Sequence, residues 1–354
     1  MKLGIIGFPQ SGKTTIFNAV TRGNTPTNAS AGRIEVHTAV VDVPDVRVDK
    51  LSAMFKPRKT IYAKVTYADI AGLDSGSAKT GISGQLLNQL TQMDGLIHVV
   101  RCFENVNVPH PLGSVDPLRD ITAMDGELLL NDLIAVERKL ERLVEERKKG
   151  GTDKVMNERQ TALFTRLHDI LSDEKPLRGV EISPEEERML SGFGLLTRKP
   201  LLVLLNLGEG EAAPKVEKVT KSTVVALQGK LEMEIAQLPP DDATMFMHEY
   251  GISELSLNRM IAISYDLLNQ QSFFTVGEDE VRAWTTKRQA TALEAAGEIH
   301  TDIAKGFVRA EVVACRDLLE LGSMVEAKAK GKLRLEGKEY IIKDGDIMHV
   351  RFNI

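Results

Sequence analysis

Short apolar runs alternate with helical patterns along the first third of the chain, and the same alternation returns after residue 200. The runs are LGII (3–6), VTYADI (65–70), GLIHVVRCF (95–103) and LLVLLN (201–206). Apolar runs of this length, bounded by glycine and polar residues, favour buried strands. Behind the first run, TTIFNAVT (14–21) carries apolar side chains at helical spacing. Strands that alternate with helices predict an α/β domain.

Between about residue 120 and residue 195 the apolar spacing becomes that of a coiled coil. The first run has the spacing 4-3-4-3 and consists of Leu129, Leu133, Val136, Leu140 and Leu143. After the break KKGG (148–151), the second run contains one polar member and consists of Met156, Gln160, Leu163, Leu167 and Ile170. Two such helices joined by a short loop predict an antiparallel hairpin inserted into the α/β domain. The charges along it are most simply a solvated face, and a partner-binding tip at KKGG is the alternative.

Beyond about residue 271 the chain is rich in strand patterns, namely FFTV, VRAWT, GFVRAEVVA and EYIIKDGDIMHVRFN. Within the last run, the pair Asp344-Gly345 separates two apolar-alternating segments and so predicts a hairpin. One helix is expected at about 315–330. Strands around one helix predict a small mixed sheet of the ubiquitin-like kind.

The segment GFPQSGKTT (7–15) fits the phosphate-loop pattern G-x-x-x-x-G-K-[ST] and lies between a predicted strand and a predicted helix. In such a loop, backbone N–H groups at the helix N-terminus bind phosphate oxygens. Lys13, a predicted catalytic residue, neutralises the β and γ oxygens, and the Thr14 hydroxyl binds Mg²⁺. The residues predicted to bind the nucleotide here are Gly7, Pro9, Gln10, Ser11, Gly12, Lys13, Thr14 and Thr15.

A second metal-side residue is expected after a strand, and Asp69 fits this place, with Gly72 three residues later. Asp69 is expected to hold Mg²⁺ through a water molecule, and Gly72, a predicted catalytic residue, is expected to meet the γ-phosphate through its N–H group. GTPases place a water-orienting Gln directly after that glycine, whereas this chain has Leu73. Turnover is therefore slow, or another group orients the water. His98 lies inside an apolar run and is interpreted as a core histidine, whereas His110 lies in a loop rich in Pro and Gly.

The strand LLVLLN ends at a place where GTPases read their base with Asn-Lys-x-Asp. This chain has Asn206 and Leu207 there, followed by a glycine and Glu209. Glu209 is one methylene longer than the Asp that accepts hydrogen bonds from guanine, so its oxygens miss or crowd the guanine edge. Loss of that contact loosens the selection of guanine. Backbone groups near Leu207 and at 227–229, which include Gln228 and Gly229, are then expected to contact the base.

Composition places limits on the class of protein. The chain has 354 residues and a net charge of −5, which argues against a surface that coats nucleic acid. The two cysteines, Cys102 and Cys315, lie far apart and form neither a disulfide framework nor a metal cluster. No apolar stretch approaches the length of a membrane span. A cytoplasmic, monomeric protein without membrane contact is expected.

The full length of the chain resembles the Obg-like ATPase family, also called YchF. The matching segments are GFPQSGKTTIFNAVT, VPDVRVDKL, YADIAGL, HVVRCFEN, NLGE and the tail GFVRAEV…GKEYIIKDGDIMHVRFN. The resemblance implies a P-loop NTPase core of the TRAFAC GTPase type, a helical coiled-coil insertion and a C-terminal β-grasp TGS domain. The predicted domains are 1–120 with 196–270 for the nucleotide, 121–195 for the hairpin and 271–354 for the TGS domain. The resemblance also implies association with ribosomes or ribosomal RNA, a preference for ATP or acceptance of both ATP and GTP, and a role for His110 in place of the missing Gln.

Three departures from the family pattern mark a diverged member. The stretch NASAGRIEVH (28–37) has Arg33 where the family has a Thr that senses Mg²⁺ or the γ-phosphate. Arg33 is either a solvent-facing residue or an internal arginine finger. Gln10 replaces an Asn that helps hold a monovalent cation in related GTPases, which leaves potassium dependence in question. The loop after Leu73 is less rich in glycine than in the family.

Two functions from different classes fit the sequence. The first is an ATPase, with GTP as a second substrate, that hydrolyses the triphosphate with Mg²⁺ and acts as a ribosome- or RNA-associated switch. The second is a binding module that docks on a ribosome when nucleotide is bound and whose hydrolysis is vestigial. A GTP-preferring GTPase is a further alternative, whereas a small-molecule kinase has no use for the hairpin or the tail.

Overall fold

A computed structural model of the chain describes residues 1–25, 36–70, 82, 84–149, 153–216, 222–250, 252 and 254–353. The chain forms two compact units. The first comprises Met1–Ala39 and Thr66–Leu257, and the second comprises Val40–Val65 and Asn258–Ile354. The domain boundaries drawn from the sequence stay a prediction. Across the described ranges, no helix combines the length and the apolar character needed to cross a bilayer.

Strands and helices alternate through most of the described chain. The strands are β1 (Lys2–Ile6), β2 (Val36–Asp42), β3 (Lys59–Ile61), β4 (Lys64–Ile70), β5 (Gly95–Cys102), β6 (Leu201–Leu207), β7 (Thr223–Leu227), β8 (Gln270–Val276), β9 (Glu280–Lys287), β10 (Phe307–Ala314), β11 (Arg334–Glu336) and β12 (Asp346–Phe352). The helices are α1 (Lys13–Thr21), α2 (Val46–Phe55), α3 (Gly84–Thr91), α4 (Pro117–Lys149), α5 (Lys154–Ser172), α6 (Pro184–Leu190), α7 (Gly229–Gln237), α8 (Pro240–Glu249), α9 (Ser256–Leu267), α10 (Ala292–Ile299), α11 (Thr301–Lys305), α12 (Cys315–Leu321) and α13 (Met324–Ala329). A 3₁₀ turn spans Leu196–Arg198.

The first unit contains a sheet whose described strands run in the order β2-β4-β1-β5-β6-β7. Strand β1 pairs in parallel with β4 and β5, and β6 pairs in parallel with β5 and β7. Strands β5 and β6 are buried along almost their whole length, which explains their uninterrupted apolar sequences. Because the carboxyl ends of parallel strands lie at one edge of a sheet, Asp69 there contacts Thr14 at the start of α1, and Asn206 contacts Ser11 in the loop after β1. The predicted α/β P-loop core is confirmed.

The predicted helical hairpin is formed by α4 and α5. Its core contains Leu143, Leu163 and Leu167, as the coiled-coil spacing predicted. The predicted seam position Met156 is wrong, because Met156 is 41% exposed. The neighbouring Asn157 is buried instead and donates its side-chain amide to the Leu143 carbonyl at 3.0 Å. The asparagine is polar, so apolar spacing alone could not place it in the seam.

One face of α4 is buried at intervals of four residues, and its members are Asp120, Met124, Leu128, Asp132 and Val136. Two of these buried side chains are carboxylates, and carboxylates are rarely buried unless they have partners. The partners of these two carboxylates connect the base of the hairpin to the rest of the first unit.

The second unit contains a mixed sheet whose described strands run in the order β11-β10-β12-β8-β9-β3. Strands β8 and β9 form an antiparallel hairpin, and β12 pairs in parallel with β8. Helix α10 covers one face, where Ala292 and Ala296 lie in a core with Phe273 and Met348. This arrangement agrees with the ubiquitin-like C-terminal domain predicted from the sequence.

Three details of that prediction are wrong. The helix expected at about 315–330 is broken into α12 and α13, because Gly322 ends α12 with a φ of 78°. The segment before Asp344 forms an isolated bridge between Thr291 and Ile341 rather than a strand, so Asp344-Gly345 is a turn and not a strand hairpin. The prediction of a single helix also missed α10, which begins with a capping box between Thr291 and Glu294.

The segment 40–65 belongs to the second unit although it lies early in the sequence. Strand β3 pairs in parallel with β9, where Lys59 faces Glu280. At the start of α2, the Arg47 guanidinium donates to the carboxylates of Asp45 and Asp344. The chain between the predicted first switch and Asp69 therefore passes through the sheet of the second unit.

Candidate nucleotide site

The loop after β1 has the form of a phosphate loop. The Lys13 Nζ donates to the carbonyls of Gly7 and Phe8 at 2.9 and 3.0 Å, so its ammonium lies within the loop. Helix α1 begins at Lys13 with Gly12 as its N-cap and without a side-chain cap. The first amides of a helix have no partner within the helix, so this N-terminus presents donors for phosphate oxygens. Pro9, Lys13, Thr14 and Thr15 are all partly exposed, so the loop can be reached by a ligand.

Two glycines of the loop are required by their surroundings. Gly7 has a φ of 154°, and a Cβ added to it would lie 2.4 Å from the Val99 carbonyl oxygen. Gly12 has a φ of 94°, and a Cβ there would lie 2.2 Å from Asn206 Nδ2. Gln10 adopts a φ of 62° without being glycine, a conformation in which Asn is enriched over Gln. The spacing of the motif predicted the first two requirements, whereas the Gln10 conformation carries no sequence signal.

The predicted metal-binding residues lie together. The Thr14 hydroxyl donates to Asp69 Oδ2 at 2.7 Å. The other oxygen, Asp69 Oδ1, is buried and has no hydrogen-bond partner within the described ranges. Burial raises the pKa of Asp69, and the hydrogen bond from Thr14 and the charge of Lys13 oppose this shift. An orphaned carboxylate oxygen beside a hydroxyl suits a hard cation such as Mg²⁺, so this pair fits the predicted metal.

Asn206 connects the phosphate loop to the loop between β7 and α7. Its side-chain amide donates to the Ser11 carbonyl at 3.0 Å, and its Oδ1 accepts from the Gly229 amide at 3.0 Å. Asn206 is only 4% exposed, so both bonds are shielded from water. Gln228 is the N-cap of α7 and makes no side-chain cap bond. The structure thus brings together three predicted residues from the phosphate and base-facing loops.

The residues after Asn206 lie at the surface. Leu207 is half-buried and Glu209 is exposed. Sequence reasoning overlooked Glu211, whose carboxylate accepts a hydrogen bond from the Gly208 amide at 3.0 Å and so shapes this loop. In the sequence, this contact could have been suspected only from the second glutamate two residues after Glu209.

The two candidate histidines differ from one another. His98 is fully enclosed in β5, and burial lowers its pKa to about 3, so it is neutral near pH 7 and is not a proton donor there. This agrees with its interpretation as a core histidine. His110 is also buried, and its Nε2 lies 3.0 Å from Asp120 Oδ2. Its Nδ1 accepts from the Leu112 amide at 3.1 Å.

Arg101 and Asp120 were overlooked in the sequence although they fix the chain around His110. The buried Arg101 guanidinium donates to the carbonyls of Phe103 and Val108 at 3.0 and 2.7 Å. For Arg101, the signal in the sequence was a lone arginine inside the run GLIHVVRCF. For Asp120, it was a carboxylate on the apolar face of a helix. Gly72, Leu73 and Arg33 lie outside the described residues, so their predicted roles stay predictions.

Comparison with known proteins gives concordant matches along the whole chain. Residues 2–148 match a family model described as 50S ribosome-binding GTPase. Residues 270–353 match the model YchF-GTPase_C, described as a protein of unknown function (DUF933). The ribosome-binding ATPase YchF of Bacillus subtilis (strain 168) is 40% identical over 364 residues, which cover 99% of this chain and 99% of that protein.

Two further matches cover a similar share of this chain. The ribosome-binding ATPase YchF of Escherichia coli O157:H7 is 40% identical over 363 residues, which cover 100% of this chain and 99% of that protein. The structure of the Schizosaccharomyces pombe YchF GTPase matches with a TM-score of 0.85 at 30% identity, over 99% of this chain and 97% of that chain.

Proposed function

The chain belongs to the YchF family of Obg-like P-loop NTPases, and from that membership we propose that it binds ATP, with GTP as a second substrate, and hydrolyses it slowly as a ribosome-associated switch. The observation that carries the proposal is the loop of residues 7–12, with the Lys13 ammonium inside it and the Thr14–Asp69 pair beside it. These are the groups that bind and neutralise a polyphosphate. The name ribosome-binding ATPase of the bacterial relatives supports the partner. The cytoplasmic location and the monomeric state stay predictions.

Each residue of the site has a defined part in this proposal. Lys13 exchanges its two loop carbonyls for phosphate oxygens, and the first amides of α1 bind the same anion. Thr14 and Asp69 would hold Mg²⁺, which supplies charge neutralisation for the phosphates when it is bound. His110 positions the attacking water once a ring nitrogen is released. In P-loop GTPases without an arginine finger in trans, turnover is about 10⁻⁴–10⁻² s⁻¹, and we expect a rate in this range.

The binding module with vestigial hydrolysis remains the second candidate. One observation favours it, namely that both ring nitrogens of His110 already have hydrogen-bond partners. Single-turnover hydrolysis of ATP with and without ribosomes separates the two functions. Acceleration by ribosomes that is lost in His110→Ala supports the enzyme, whereas no acceleration and no loss supports the binding module.

The proposed preference for ATP predicts a change of base selection in Glu209→Asp. Shortening the side chain restores the acidic group that GTPases use, so the ratio of GTP affinity to ATP affinity should rise by about 10-fold, the worth of one charge-assisted hydrogen bond. Calorimetric titration of the whole chain with Mg-ATP, Mg-GTP and Mg-ADP measures this ratio. Glu209→Gln is the matched control, because it keeps the length of the side chain and should leave the ratio near that of the parent. A ratio in Glu209→Asp equal to the parent's would show that this carboxylate does not face the base.

The contact between Gly12 and Asn206 predicts a second result. In Gly12→Ala the added Cβ meets Asn206 Nδ2, so the bond from Asn206 to the Ser11 carbonyl must break and the loop must shift. We expect the affinity for Mg-ATP to fall by about 10-fold or more, since the phosphate donors lose their alignment. Titration calorimetry and thermal unfolding measure the two effects.

The control for this prediction is Gly192→Ala. Gly192 has a φ of 88°, close to the 94° of Gly12, but an added Cβ there meets nothing within 4 Å. Both variants carry the same backbone strain of about 1–2 kcal/mol, so only the contact with Asn206 differs between them. Equal nucleotide affinities for the two variants would contradict the assigned role of Gly12.

A further inference from the structure

The hydrogen bonds of His110 define which ring nitrogen carries the proton in its neutral form. Since the Leu112 amide donates to Nδ1 at 3.1 Å, Nδ1 is an acceptor and the ring proton of the neutral form lies on Nε2. That proton points to Asp120 Oδ2 at 3.0 Å. The side chains of His110 and Asp120 are only 3% and 4% exposed. A ring held in this way presents neither nitrogen to a water molecule or to a phosphate.

The Asp120 carboxylate is itself held in place. Its second oxygen accepts two hydrogen bonds from the Arg119 guanidinium, at 3.0 and 2.9 Å. Arg119 also donates to the Ser114 carbonyl at 2.8 Å, which ties the loop after His110 to the first turn of α4. Asp120 lies near the N-terminus of a 33-residue helix, where the helix dipole favours a carboxylate. The acceptor for His110 is therefore fixed by a guanidinium and by a long helix.

We propose that Asp120 is a positioning residue that stores His110 in a catalytically silent state, and that breaking the Asp120–His110 hydrogen bond controls how often His110 reaches the reacting phosphate. The inference rests on the proposed function, because it concerns the same hydrolysis. Its physical basis is that a nitrogen cannot donate to Asp120 and orient a water at the same time. The fraction of molecules with a released His110 then sets the observed rate.

The opposite role for Asp120 makes a different prediction. In a triad, a carboxylate remains bound to a histidine and orients it for work, so its removal lowers the rate. In the stored state proposed here, removal of the carboxylate leaves the buried Nε2–H without an acceptor, which destabilises the stored position and favours release. The direction of the change in turnover therefore distinguishes the two roles.

The test uses the full chain and the variants Asp120→Ala, Asp120→Asn, His110→Ala and the double variant Asp120→Ala with His110→Ala. In Asp120→Ala we expect kcat for Mg-ATP hydrolysis to rise by about 10-fold, the loss of one hydrogen bond to a charged group, with KM unchanged because the buried Asp120 is not among the residues proposed to bind the nucleotide. Asp120→Asn keeps a neutral acceptor and should give a smaller rise. The double variant should have the kcat of His110→Ala, because a stored group that is absent cannot be released.

A spectroscopic readout tests storage without relying on hydrolysis. Nitrogen NMR of the histidine rings should show a parent His110 protonated at Nε2 and protected from exchange, and protection should be lost in Asp120→Ala. Asp116→Ala is the matched control, because Asp116 accepts from the Arg119 amide at 3.0 Å at the same helix start, whereas the described hydrogen bonds of the His110 ring go to Asp120 and Leu112. It should loosen the start of α4 without raising kcat.

The outcomes separate this inference from the proposed function. A parent chain that hydrolyses no purine triphosphate refutes the proposed function, while the ring protonation and exchange still test the storage of His110. If the parent hydrolyses ATP, a kcat of Asp120→Ala at or below that of the parent overturns the storage role. A rise that persists without His110, or an equal rise in Asp116→Ala, overturns it as well.

Discussion

Replacing Lys13 with methionine should lower Mg-ATP affinity and turnover by at least about 10²-fold, the scale seen when one preorganised group that stabilises transition-state charge is removed. Methionine keeps the apolar stem of the side chain and removes only the ammonium. In the structure that ammonium lies between the carbonyls of Gly7 and Phe8, so the loop already places a full positive charge where phosphate oxygens are expected. Titration calorimetry and single-turnover hydrolysis measure the loss.

The control for this prediction is Lys175→Met. Lys175 is 68% exposed and pairs with Asp173 at 3.0 Å in the same unit, so its loss changes the net charge equally without touching the loop. Thermal unfolding of Lys13→Met shows whether the loop still folds without its two side-chain hydrogen bonds. A folded Lys13→Met that binds Mg-ATP as tightly as the parent would refute the phosphate site and with it the proposed function.

The phosphate side of the site was predictable because its chemistry is encoded locally. A strand, a glycine loop and a helix follow one another within twenty-one residues, and Lys13 and Thr14 occupy fixed places in that pattern. Asp69 and Asn206 were predictable for a related reason, since each ends an apolar strand run and parallel strands end at one edge of the sheet. The parallel pairing of β1 with β4 then brings the distant Asp69 to Thr14.

The surroundings of His110 were not predictable in the same way. The partner Asp120 is ten residues away across a loop, and no local period links a loop histidine to a helix carboxylate. The family resemblance supplied a role for His110 but not its hydrogen bonds. The spacing of Asp120, Met124 and Leu128 does contain a signal, because it places a carboxylate on the buried face of α4.

Sequence patterns also could not predict that the segment 40–65 belongs to the second unit. Strand β3 is three residues long, and its partner β9 lies more than two hundred residues away. The Arg47–Asp344 pair spans an even larger separation of 297 residues. Such contacts are set by the folded topology, since charge and β-propensity fit many alternative partners. The second unit therefore contains residues that a linear division of the chain assigns to the first.

The second buried carboxylate of α4 holds the base of the hairpin. Asp132 is fully buried and accepts from the Leu196 and Thr197 amides at 2.8 and 2.7 Å, and from the Thr197 hydroxyl at 2.6 Å. The same hydroxyl accepts from the Leu177 amide at 3.2 Å. Asp132 thus connects α4, the chain after α5 and the turn that leads into β6. Asn206 lies near the carboxyl end of that strand.

Asp132→Ala should lower the free energy of unfolding by about 3–5 kcal/mol, among the larger effects expected of a single substitution. Burial raises the pKa of Asp132 despite its hydrogen bonds, so the ionised carboxylate is not in itself a large source of stability. The cost arises from the two amides and the hydroxyl that lose their acceptor inside the protein. Urea unfolding measures it as a lower midpoint, and Asp132→Asn should be less severe because one oxygen remains.

Glu141→Ala removes the same charge from an exposed position of α4 and should stay within about 0.5 kcal/mol of the parent. If Asp132→Ala unfolds at nearly the same urea concentration as Glu141→Ala, the network does not hold the base of the hairpin.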